Sequence, residues 1–349
     1  MEVAVLLSGG VDSSLALHLL REEGHQLRAF YLKVWLEEEL AFLGDCPWEE
    51  DLGYARAVCA QAGVPLEVVP LQAEYLEKVV EHALGELRAG RTPSPDIHCN
   101  RQIKFGVFLE RMGDQFARVA SGHYARLDQQ GGQHRLLRAA DQVKDQTYFL
   151  SWLGQNQLER VLFPIGHLPK PEVRRLAARY GLPTKDRRDS QGICFLGKID
   201  YRQFVEARLG ERPGPIVDRQ SGKVLGTHRG LWFHTIGQRH GLGLGGGPWF
   251  AVGKDLGGDV LWVAHEAQEE VRLRDRFEVG QPHWIGPPPL EGEVEVKLRH
   301  GPRTTRCTLV AREGGGLQVE LAAPDPGVAP GQHAVFYQGE VCLGGAVID

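Results

Sequence analysis

The chain begins with Val3-Ala4-Val5-Leu6-Leu7-Ser8-Gly9-Gly10-Val11-Asp12-Ser13-Ser14 and continues into Leu15-Ala16-Leu17-His18-Leu19-Leu20. The apolar first part predicts a buried strand, and the part after Gly10 predicts a helix. Adjacent glycines let a backbone approach a ligand closely, and the free amides at a helix N-terminus attract anions. The turn between strand and helix therefore predicts a phosphate site.

This turn differs from a Walker loop, which ends in Gly-Lys-Ser/Thr, because it contains no lysine. The pattern Ser-Gly-Gly-x-Asp-Ser over Ser8 to Ser13 is instead similar to the pyrophosphatase loop of enzymes that split ATP between its α and β phosphates. A serine-capped helix after a buried strand is the structural alternative. That alternative needs neither the paired glycines nor the third serine.

Further strands are predicted at Leu27 to Trp35, Leu66 to Pro70 and Ala117 to His123, with helical stretches between them. Strands that alternate with helices predict an α/β fold with a doubly wound parallel sheet. Ligands bind such sheets at the carboxyl ends of the strands. Gly122 and His123 are therefore expected in the same crevice as the Ser-Gly-Gly turn.

From about Gly214 the composition changes to short runs with period-two alternation, separated by glycine and proline. This pattern predicts an antiparallel all-β region that ends in a small C-terminal barrel. The glycine-rich run Gly241 to Gly247 opens no helix, so we interpret it as a flexible loop. A chain of 349 residues is expected to fold as two or three domains.

Composition excludes several classes of protein. The six cysteines form no Cys-x-x-Cys pair, which argues against a structural zinc site and against a secreted disulfide scaffold. No basic leader or apolar span is present, so we expect a soluble, cytoplasmic protein without membrane contact. The net charge of −5 does not indicate a nucleic-acid binder, although local basic clusters can track a phosphate backbone or simply be solvated. These clusters are Arg174 to Arg179, Lys185 to Arg188 and Arg299 to Arg306.

Two cysteines lie in surroundings that favour reactivity. A double-proline turn delivers Asp96 and Cys99 just ahead of a helix expected to begin near Asn100, where the helix N-terminus favours the thiolate. A buried structural cysteine behind a proline loop is the alternative. Cys194 occupies a glycine-flanked loop beside Lys185 to Arg188, and positive charge lowers a thiol pKa.

An ATP-splitting loop combined with two separate thiols suggests one reaction class. A carbonyl oxygen is a poor leaving group, whereas AMP leaves readily. ATP would adenylate the carbonyl, and sulfur carried as a cysteine persulfide would then replace the oxygen.

Several motifs in order along the whole chain resemble those of the tRNA-specific 2-thiouridylase family. They are the Ser8 to Ser13 loop, Thr92 to Asn100, Ser121 to Tyr124, Lys144 to Leu150, Ser190 to Phe195 and Pro330 to Tyr337. The pair Asp-x-x-Cys-Asn and Gly-Ile-Cys-Phe is the most specific. One departure is Ser94, where the family commonly has asparagine in a Thr-Pro-Asn-Pro turn.

The resemblance implies ATP-dependent 2-thiolation of the wobble uridine at position 34 of tRNA, with release of AMP and pyrophosphate. Cys194 would carry the persulfide, and Cys99 would attack it or form a transient disulfide bond with it. Asp96 would be the acid or base. Mg²⁺ would be held through ATP rather than by a protein metal site.

The resemblance also assigns binding residues and domains. The expected ATP-binding residues are Leu6, Leu7, Ser8, Gly9, Gly10, Val11, Asp12, Ser13, Leu32 and Gly122. The expected target-base and tRNA contacts are Ser94, Pro95, Asp96, His123, Lys144, Asp145, Gln146, Arg299, His300 and Gln332. The domains would be a catalytic domain at 1–200, a central tRNA-binding domain at 201–275 and a β-barrel domain at 276–349.

A disulfide requires Cα atoms within roughly 7 Å, so the loop from Asp186 to Lys198 is expected to move toward Cys99 and to order on tRNA binding. The sulfur donor would be a cysteine desulfurase or a sulfur-relay protein, and we expect a monomer.

Two rival functions remain at this point. One is an ATP pyrophosphatase that amidates a small metabolite, and the other is a non-catalytic RNA-binding protein that kept the nucleotide fold.

Overall fold

The computed structural model describes residues 1–34, 48–188, 201–269, 273–289 and 294–349. The strands are β1 (Glu2–Leu6), β2 (Gln26–Lys33), β3 (Leu66–Pro70), β4 (Arg118–Ala120), β5 (Ala125–Gln130), β6 (Gln133–Arg138), β7 (Val161–Leu162), β8 (Gly214–Asp218), β9 (Val224–His228), β10 (Trp249–Asp255), β11 (Val260–His265), β12 (Arg274–Val279), β13 (His283–Trp284), β14 (Val294–Lys297), β15 (Thr305–Ala311), β16 (Leu317–Asp325), β17 (His333–Gln338) and β18 (Val341–Val347). The α-helices are α1 (Val11–Glu22), α2 (Trp48–Ala62), α3 (Gln72–Tyr75), α4 (Glu81–Arg88), α5 (Pro95–His98), α6 (Phe108–Met112), α7 (Thr147–Leu150), α8 (Gln155–Leu158), α9 (Lys170–Arg179) and α10 (Tyr201–Leu209). Cys46 and Cys194 lie outside the described residues, as does most of the segment expected to move.

Strand β1 lies at the centre of a parallel sheet with the order β3-β2-β1-β4-β7. Val3 and Val5 pack into the core on one face of the sheet, and Ala4 and Leu6 pack into the core on the other. The uninterrupted apolar run at the N-terminus is thus explained, because both faces of a parallel strand are covered. The predicted α/β fold with a doubly wound parallel sheet is confirmed.

The helix that carries Cys99 begins earlier than predicted. It starts at Pro95, continues from α5 through a π-helical stretch at Cys99–Val107, and runs into α6. Proline suits the first helical position because its ring fixes φ and it lacks an N–H that would there have no partner. The expectation of a helix start near Asn100 is therefore wrong, and Cys99 lies in the second turn.

Among the described residues, the C-terminal region contributes seven strands to a nine-stranded sheet, six of them in the order β12-β16-β15-β14-β17-β18 and the seventh, β13, paired with β18. A bridge between Val279 and Ile348 joins β12 to the end of β18. Hydrogen bonds from Gly280 N to Val347 O (2.9 Å) and from Asp349 N to Glu278 O (3.1 Å) flank this bridge. The predicted small C-terminal barrel is confirmed as a closed one.

Two features of the β regions depart from prediction. The hairpin β5–β6, which lies well before Gly214 in sequence, pairs with β18 and so extends the barrel sheet into the first part of the chain. In the central sheet, with the order β10-β11-β8-β9, the pair β8–β11 is parallel, with Ile216 opposite Leu261. The expectation of an entirely antiparallel region is wrong at that pair, because the first strand of the hairpin β8–β9 lies beside the last strand of the hairpin β10–β11.

Among the described residues, no helix is long and apolar enough to cross a membrane.

Candidate active site

The turn after β1 is shaped as a phosphate cradle. Gly9 has φ +73°, and a Cβ placed there would lie 2.3 Å from the carbonyl oxygen of Asp51, so only glycine fits. Ser13 Oγ lies 3.2 Å from both the N and the Oγ of Ser8. Gly10 occupies the N-cap of α1 and supplies no side-chain hydrogen bond to the first turn. The amides of that turn are therefore available to an anionic ligand.

Gly122 lies directly against this cradle. A Cβ on Gly122 would be 2.5 Å from the backbone N of Ser13 and 2.7 Å from the carbonyl carbon of Asp12. The loop after β4 thus covers the first turn of α1, as expected from the rule for parallel sheets. The structure brings Gly122 together with the Ser-Gly-Gly turn.

The carboxylate of Asp12 is held by two groups that the sequence analysis did not identify. Lys170 Nζ lies 2.8 Å and 2.9 Å from the two carboxylate oxygens, and the Tyr124 hydroxyl donates to one of them at 2.7 Å. Lys170 is 158 residues away from Asp12 in sequence, and its only local signal is its place between two prolines at a helix start. The ammonium group offsets the negative charge at the edge of the phosphate cradle.

Arg187 contacts the same cradle from the other side. Its Nη1 donates to Gly9 O at 2.7 Å, its Nη2 pairs with Asp51, and its guanidinium lies 4.6 Å from the ring centre of Tyr54. In the sequence, Arg187 belongs to the basic cluster Lys185 to Arg188, which is expected to lower the pKa of the Cys194 thiol, and to track a phosphate backbone or simply be solvated. In the structure, Arg187 stabilises the glycine turn by linking Gly9 O to the Asp51 carboxylate.

Asp96 and Cys99 stand three residues apart on the helix that begins at Pro95, a spacing that places two residues on one helix face. Cys99 is 2% exposed and Asp96 is half-buried. The dipole of a helix acts mainly within its first turn. It therefore favours the carboxylate of Asp96 more than the thiolate of Cys99, which corrects the expected effect on the thiol.

The segment Lys144 to Gln146 connects the nucleotide domain to the barrel. Asp145 is 1% exposed, pairs with Lys297 Nζ at 2.7 Å, and accepts hydrogen bonds from Ala139 N and Thr147 Oγ1. The side chain is enclosed by protein, so the structure does not present it to a tRNA. Its neighbour Gln146 accepts a hydrogen bond from Tyr124 N at 2.9 Å, which links this turn to the loop after β4.

Three of the expected tRNA contacts lie near one another. His300 stacks on Phe149 at 4.7 Å, and its Nε2 lies 3.1 Å from Asp145 O. Arg299 is exposed and forms a two-pronged ion pair with Asp325. Gln332 follows Gly331, whose Cβ position would be 2.9 Å from the backbone N of Thr92, so it lies beside the turn that contains Ser94 and Pro95.

His123 is packed between rings. Its centroid lies 5.9 Å from that of Phe105 and 6.0 Å from that of Phe163, and its Nδ1 is 2.8 Å from Ser121 Oγ. Burial holds the pKa of His123 well below its usual value. The imidazole is therefore neutral near pH 7 and offers no positive charge to a phosphate.

Among the described residues, no group of three or more His, Cys, Asp or Glu side chains is arranged to hold a metal ion. The hydroxyls of Ser8 and Ser13 and the first-turn amides of α1 suit the phosphates of ATP. Leu6, Leu7 and Val11 are buried around that turn, and Leu32 lies on β2 next to β1.

Three family models match the chain. The tRNA methyl transferase HUP domain matches residues 1–198, the tRNA methyl transferase PRC-barrel domain matches residues 202–265, and the aminomethyltransferase beta-barrel domain matches residues 274–348.

Curated relatives are similar over their whole length. A protein of Bacteroides thetaiotaomicron named tRNA-specific 2-thiouridylase MnmA 1 is 45% identical over 355 residues, which cover 100% of this chain and 99% of the relative. A Porphyromonas gingivalis protein named tRNA-specific 2-thiouridylase MnmA is 44% identical over 359 residues with the same coverage. A Parabacteroides distasonis protein of that name is 43% identical over 357 residues, again covering 100% of this chain and 99% of the relative.

Proposed function

The chain belongs to the tRNA-specific 2-thiouridylase family, and from this premise we propose that its reaction is adenylation of the 2-carbonyl of the wobble uridine, position 34, followed by transfer of persulfide sulfur. At the coarser level, it is a tRNA sulfurtransferase that carries out 2-thiolation and uses ATP. The observation that carries the proposal is the phosphate cradle covered by Gly122, within a chain that matches thiouridylases from end to end.

In the first step, the uridine O2 attacks the α-phosphorus of ATP, and the bond to pyrophosphate breaks. The first-turn amides of α1 and the Ser8 and Ser13 hydroxyls hold the phosphates, and Leu32 and Gly122 border the nucleotide. Mg²⁺ bound through ATP would supply further charge neutralisation there. Lys170 keeps Asp12 neutralised, which lowers repulsion between that carboxylate and the phosphates.

In the second step, the terminal sulfur of a persulfide on Cys194 forms a bond to C2, and AMP leaves with the former carbonyl oxygen. The Cys99 thiolate then attacks Sγ of Cys194, which breaks the sulfur–sulfur bond and leaves the transferred sulfur on the base. The product is a Cys99–Cys194 disulfide, and an external thiol returns it to the reduced state. Asp96, in the first turn of the same helix as Cys99, is the group we assign to proton transfer.

We assign target-base and tRNA contacts to Ser94, Pro95, Asp96, Lys144, Gln146, Arg299, His300 and Gln332, with His123 and Asp145 acting through the packing of the loops that carry them. The surface side chains in this set border the turn before α5 and the adjoining barrel. Base extraction from the anticodon stack would cost a few kcal/mol, which contacts in the pocket would offset. The proposed domain division is 1–200, 201–275 and 276–349. A monomer, a cytoplasmic location and a desulfurase or sulfur-relay donor complete the proposal.

The test is mass spectrometry of nucleosides from tRNA incubated with the purified protein, ATP and a persulfide source. We expect 2-thiouridine at position 34 and release of AMP, not ADP. Cys194→Ser and Cys99→Ser should abolish thiolation while ATP binding remains. The domain models are described as methyl transferases, so a parallel incubation with S-adenosylmethionine serves as a control. Methylated uridine without thiolation, or wild-type protein that releases no AMP, would contradict the proposal.

A further inference from the structure

A cleft of about 370 Å³ lies where the central sheet meets the first barrel strand. It is lined by Arg219, Val252, Gly253, Lys254, Trp262 and Arg274. Four separate elements contribute these residues: the turn after β8, strands β10 and β11, and the first residue of β12. None of these residues belongs to the nucleotide cradle or to the turn before α5.

Three of the lining side chains are cations, and no carboxylate is among the lining residues. Within the described part of the chain, none of the three takes part in an ion pair. Lys254 Nζ donates to Gly90 O at 2.9 Å, the Arg219 guanidinium lies 5.0 Å from the Trp262 ring centre, and Arg274 Nη2 reaches Val252 O at 3.4 Å.

Neighbouring arginines are arranged differently. Arg276, two residues along β12, pairs with Glu320 at 2.9 Å, and Arg212 of the central region pairs with Asp259 at 2.7 Å. The chain as a whole carries a net charge of −5, so carboxylates are numerous enough to pair with its cations. The lack of carboxylate partners for these three cations is therefore specific to the cleft, within the described residues.

Burial of Lys254 makes the excess of positive charge in this cleft energetically unfavourable. Lys254 is only partly accessible, and desolvation lowers its pKa to about 8 without any opposing carboxylate. Positive charge that is withdrawn from water without a counterion is stabilised when an anion arrives. Arg219 and Arg274 are exposed at the mouth of the cleft, where a large ligand can reach them.

Resting on the proposed function, we propose that this cleft binds a phosphate group of the tRNA backbone, away from the target uridine. Guanidinium forks match phosphate oxygens, and phosphate contacts position a nucleic acid without reading its sequence. Trp262 adds an aromatic face on which a base or an arginine can stack.

The cleft also contacts the segment that leads into the helix that carries Asp96 and Cys99. Lys254 contacts the carbonyl of Gly90, and Leu256 lies 2.9 Å from the position that a Cβ on Gly90 would take. Gly90 lies four residues before Ser94, and Pro95 begins the helix that carries Asp96 and Cys99. A phosphate in the cleft would therefore hold the tRNA against the segment that leads into the candidate active site.

The experiment measures tRNA affinity by fluorescence anisotropy over a series of KCl concentrations. Arg219→Gln and Arg274→Gln are the test variants, and Arg276→Gln on the same strand is the matched control because Glu320 already neutralises it. Each test variant should weaken tRNA binding about fivefold to tenfold and lower the salt slope by about one, for substrate and non-substrate tRNAs alike. The control should leave affinity and slope unchanged, and thermal melts of all variants check folding.

Inorganic phosphate and pyrophosphate, titrated by calorimetry, distinguish the source of the phosphate group. Submillimolar binding of either anion to the wild-type protein that disappears when Arg219→Gln and Arg274→Gln are combined, with tRNA affinity and slope unchanged in the same double variant, would overturn the tRNA assignment in favour of free phosphate. Unchanged affinities for all three ligands would overturn the proposal altogether.

The same tRNA is assayed for thiolation by wild-type protein. Weaker tRNA binding with a lower salt slope in the variants supports the cleft even if the wild-type protein does not thiolate. Wild-type thiolation combined with undisturbed binding in the variants rejects the cleft and leaves the proposed function standing.

Discussion

Lys297 Nζ lies 2.7 Å from Asp145 Oδ2, and both side chains are 1% exposed, so an ion pair is enclosed between the barrel and the turn before α7. The two residues are 152 positions apart in sequence. Buried ion pairs add little net stability because desolvation opposes the attraction, but removal of one partner leaves a buried charge uncompensated.

Asp145→Ala should therefore lower the free energy of unfolding by about 3–5 kcal/mol. The double variant Asp145→Asn with Lys297→Met should recover most of this loss. Urea denaturation followed by circular dichroism measures both. Arg175→Ala breaks the exposed pair with Glu172 and serves as the comparison, with a much smaller expected loss because solvent screens that pair. Equal losses for the buried and exposed pairs would refute the interpretation.

Removal of the Lys170 ammonium should weaken the binding of ATP. Lys170→Ala leaves the Asp12 carboxylate facing the phosphates without its cation, so we expect KM for ATP to rise roughly tenfold to a hundredfold, equivalent to about 1.4–2.8 kcal/mol. Lys170→Arg should restore part of the affinity, and Tyr124→Phe should have a smaller effect because it removes one neutral hydrogen bond. AMP release at varied ATP concentration is the measurement. An unchanged KM in Lys170→Ala would show that Asp12 does not face the nucleotide.

A methyl group at Gly122 should exclude the nucleotide's phosphates. Its Cβ would come within 2.5 Å of Ser13 N, so Gly122→Ala must displace the first turn of α1. We expect loss of ATP binding by calorimetry, with tRNA binding retained. Gly53→Ala is the control, because Gly53 lies within α2 and its Cβ would meet nothing within 4 Å. The assignment of the cradle fails if both variants bind ATP as the wild-type protein does.

The protein should lose stability as the pH falls below about 6.5, the ordinary pKa of a histidine side chain. Burial beside His82 and Arg101 lowers the pKa of His98 to about 4, and burial beside His98 and His82 lowers the pKa of His333 to about 3. The unfolded chain binds protons at these residues near pH 6.5, before the folded chain does. Stability is therefore fully present above pH 6.5 and decreases progressively toward pH 4.

Each of these two histidines should contribute a loss of about 1–2 kcal/mol by pH 5. Urea midpoints at pH 7 and pH 5 measure the difference. His98→Gln should reduce the pH dependence while it leaves Glu86, the nearby acidic group, paired with Arg91. A pH dependence identical to that of the wild-type protein would exclude His98 as its source.

Local sequence patterns were sufficient to predict the structure where a segment is strongly periodic or where glycines fix the conformation of a turn. Strand β3 has the predicted limits, Leu66–Pro70. The Ser-Gly-Gly turn was identifiable because its chemistry lies within seven consecutive residues. The expected residues around it, Leu6 to Ser13 and Gly122, are gathered at one end of the parallel sheet.

Contacts between distant segments were not predictable from the same patterns. Nothing near Asp12 in sequence indicates that Lys170 neutralises it, and nothing near Asp145 indicates that Lys297 encloses it. The hairpin β5–β6 carried a signal that was missed: Gly131 and Gly132, with φ +59° and +79°, form its two-residue turn. Its strands are rich in polar residues, so their pairing with the barrel follows from the tertiary fold and not from hydrophobic alternation.

The pairing of β18 with β6 limits how this chain can be shortened. Val341 and Cys342 lie opposite Leu137 and Leu136, so the last strand of the chain covers an edge in its first half. A protein truncated near residue 200 would expose the β6 backbone together with Leu136, which is fully buried in the intact chain. Uncovered strand edges of this kind recruit other molecules. The nucleotide-binding half, expressed alone, should therefore aggregate, and any transplant of this barrel onto another enzyme would have to include the hairpin as well.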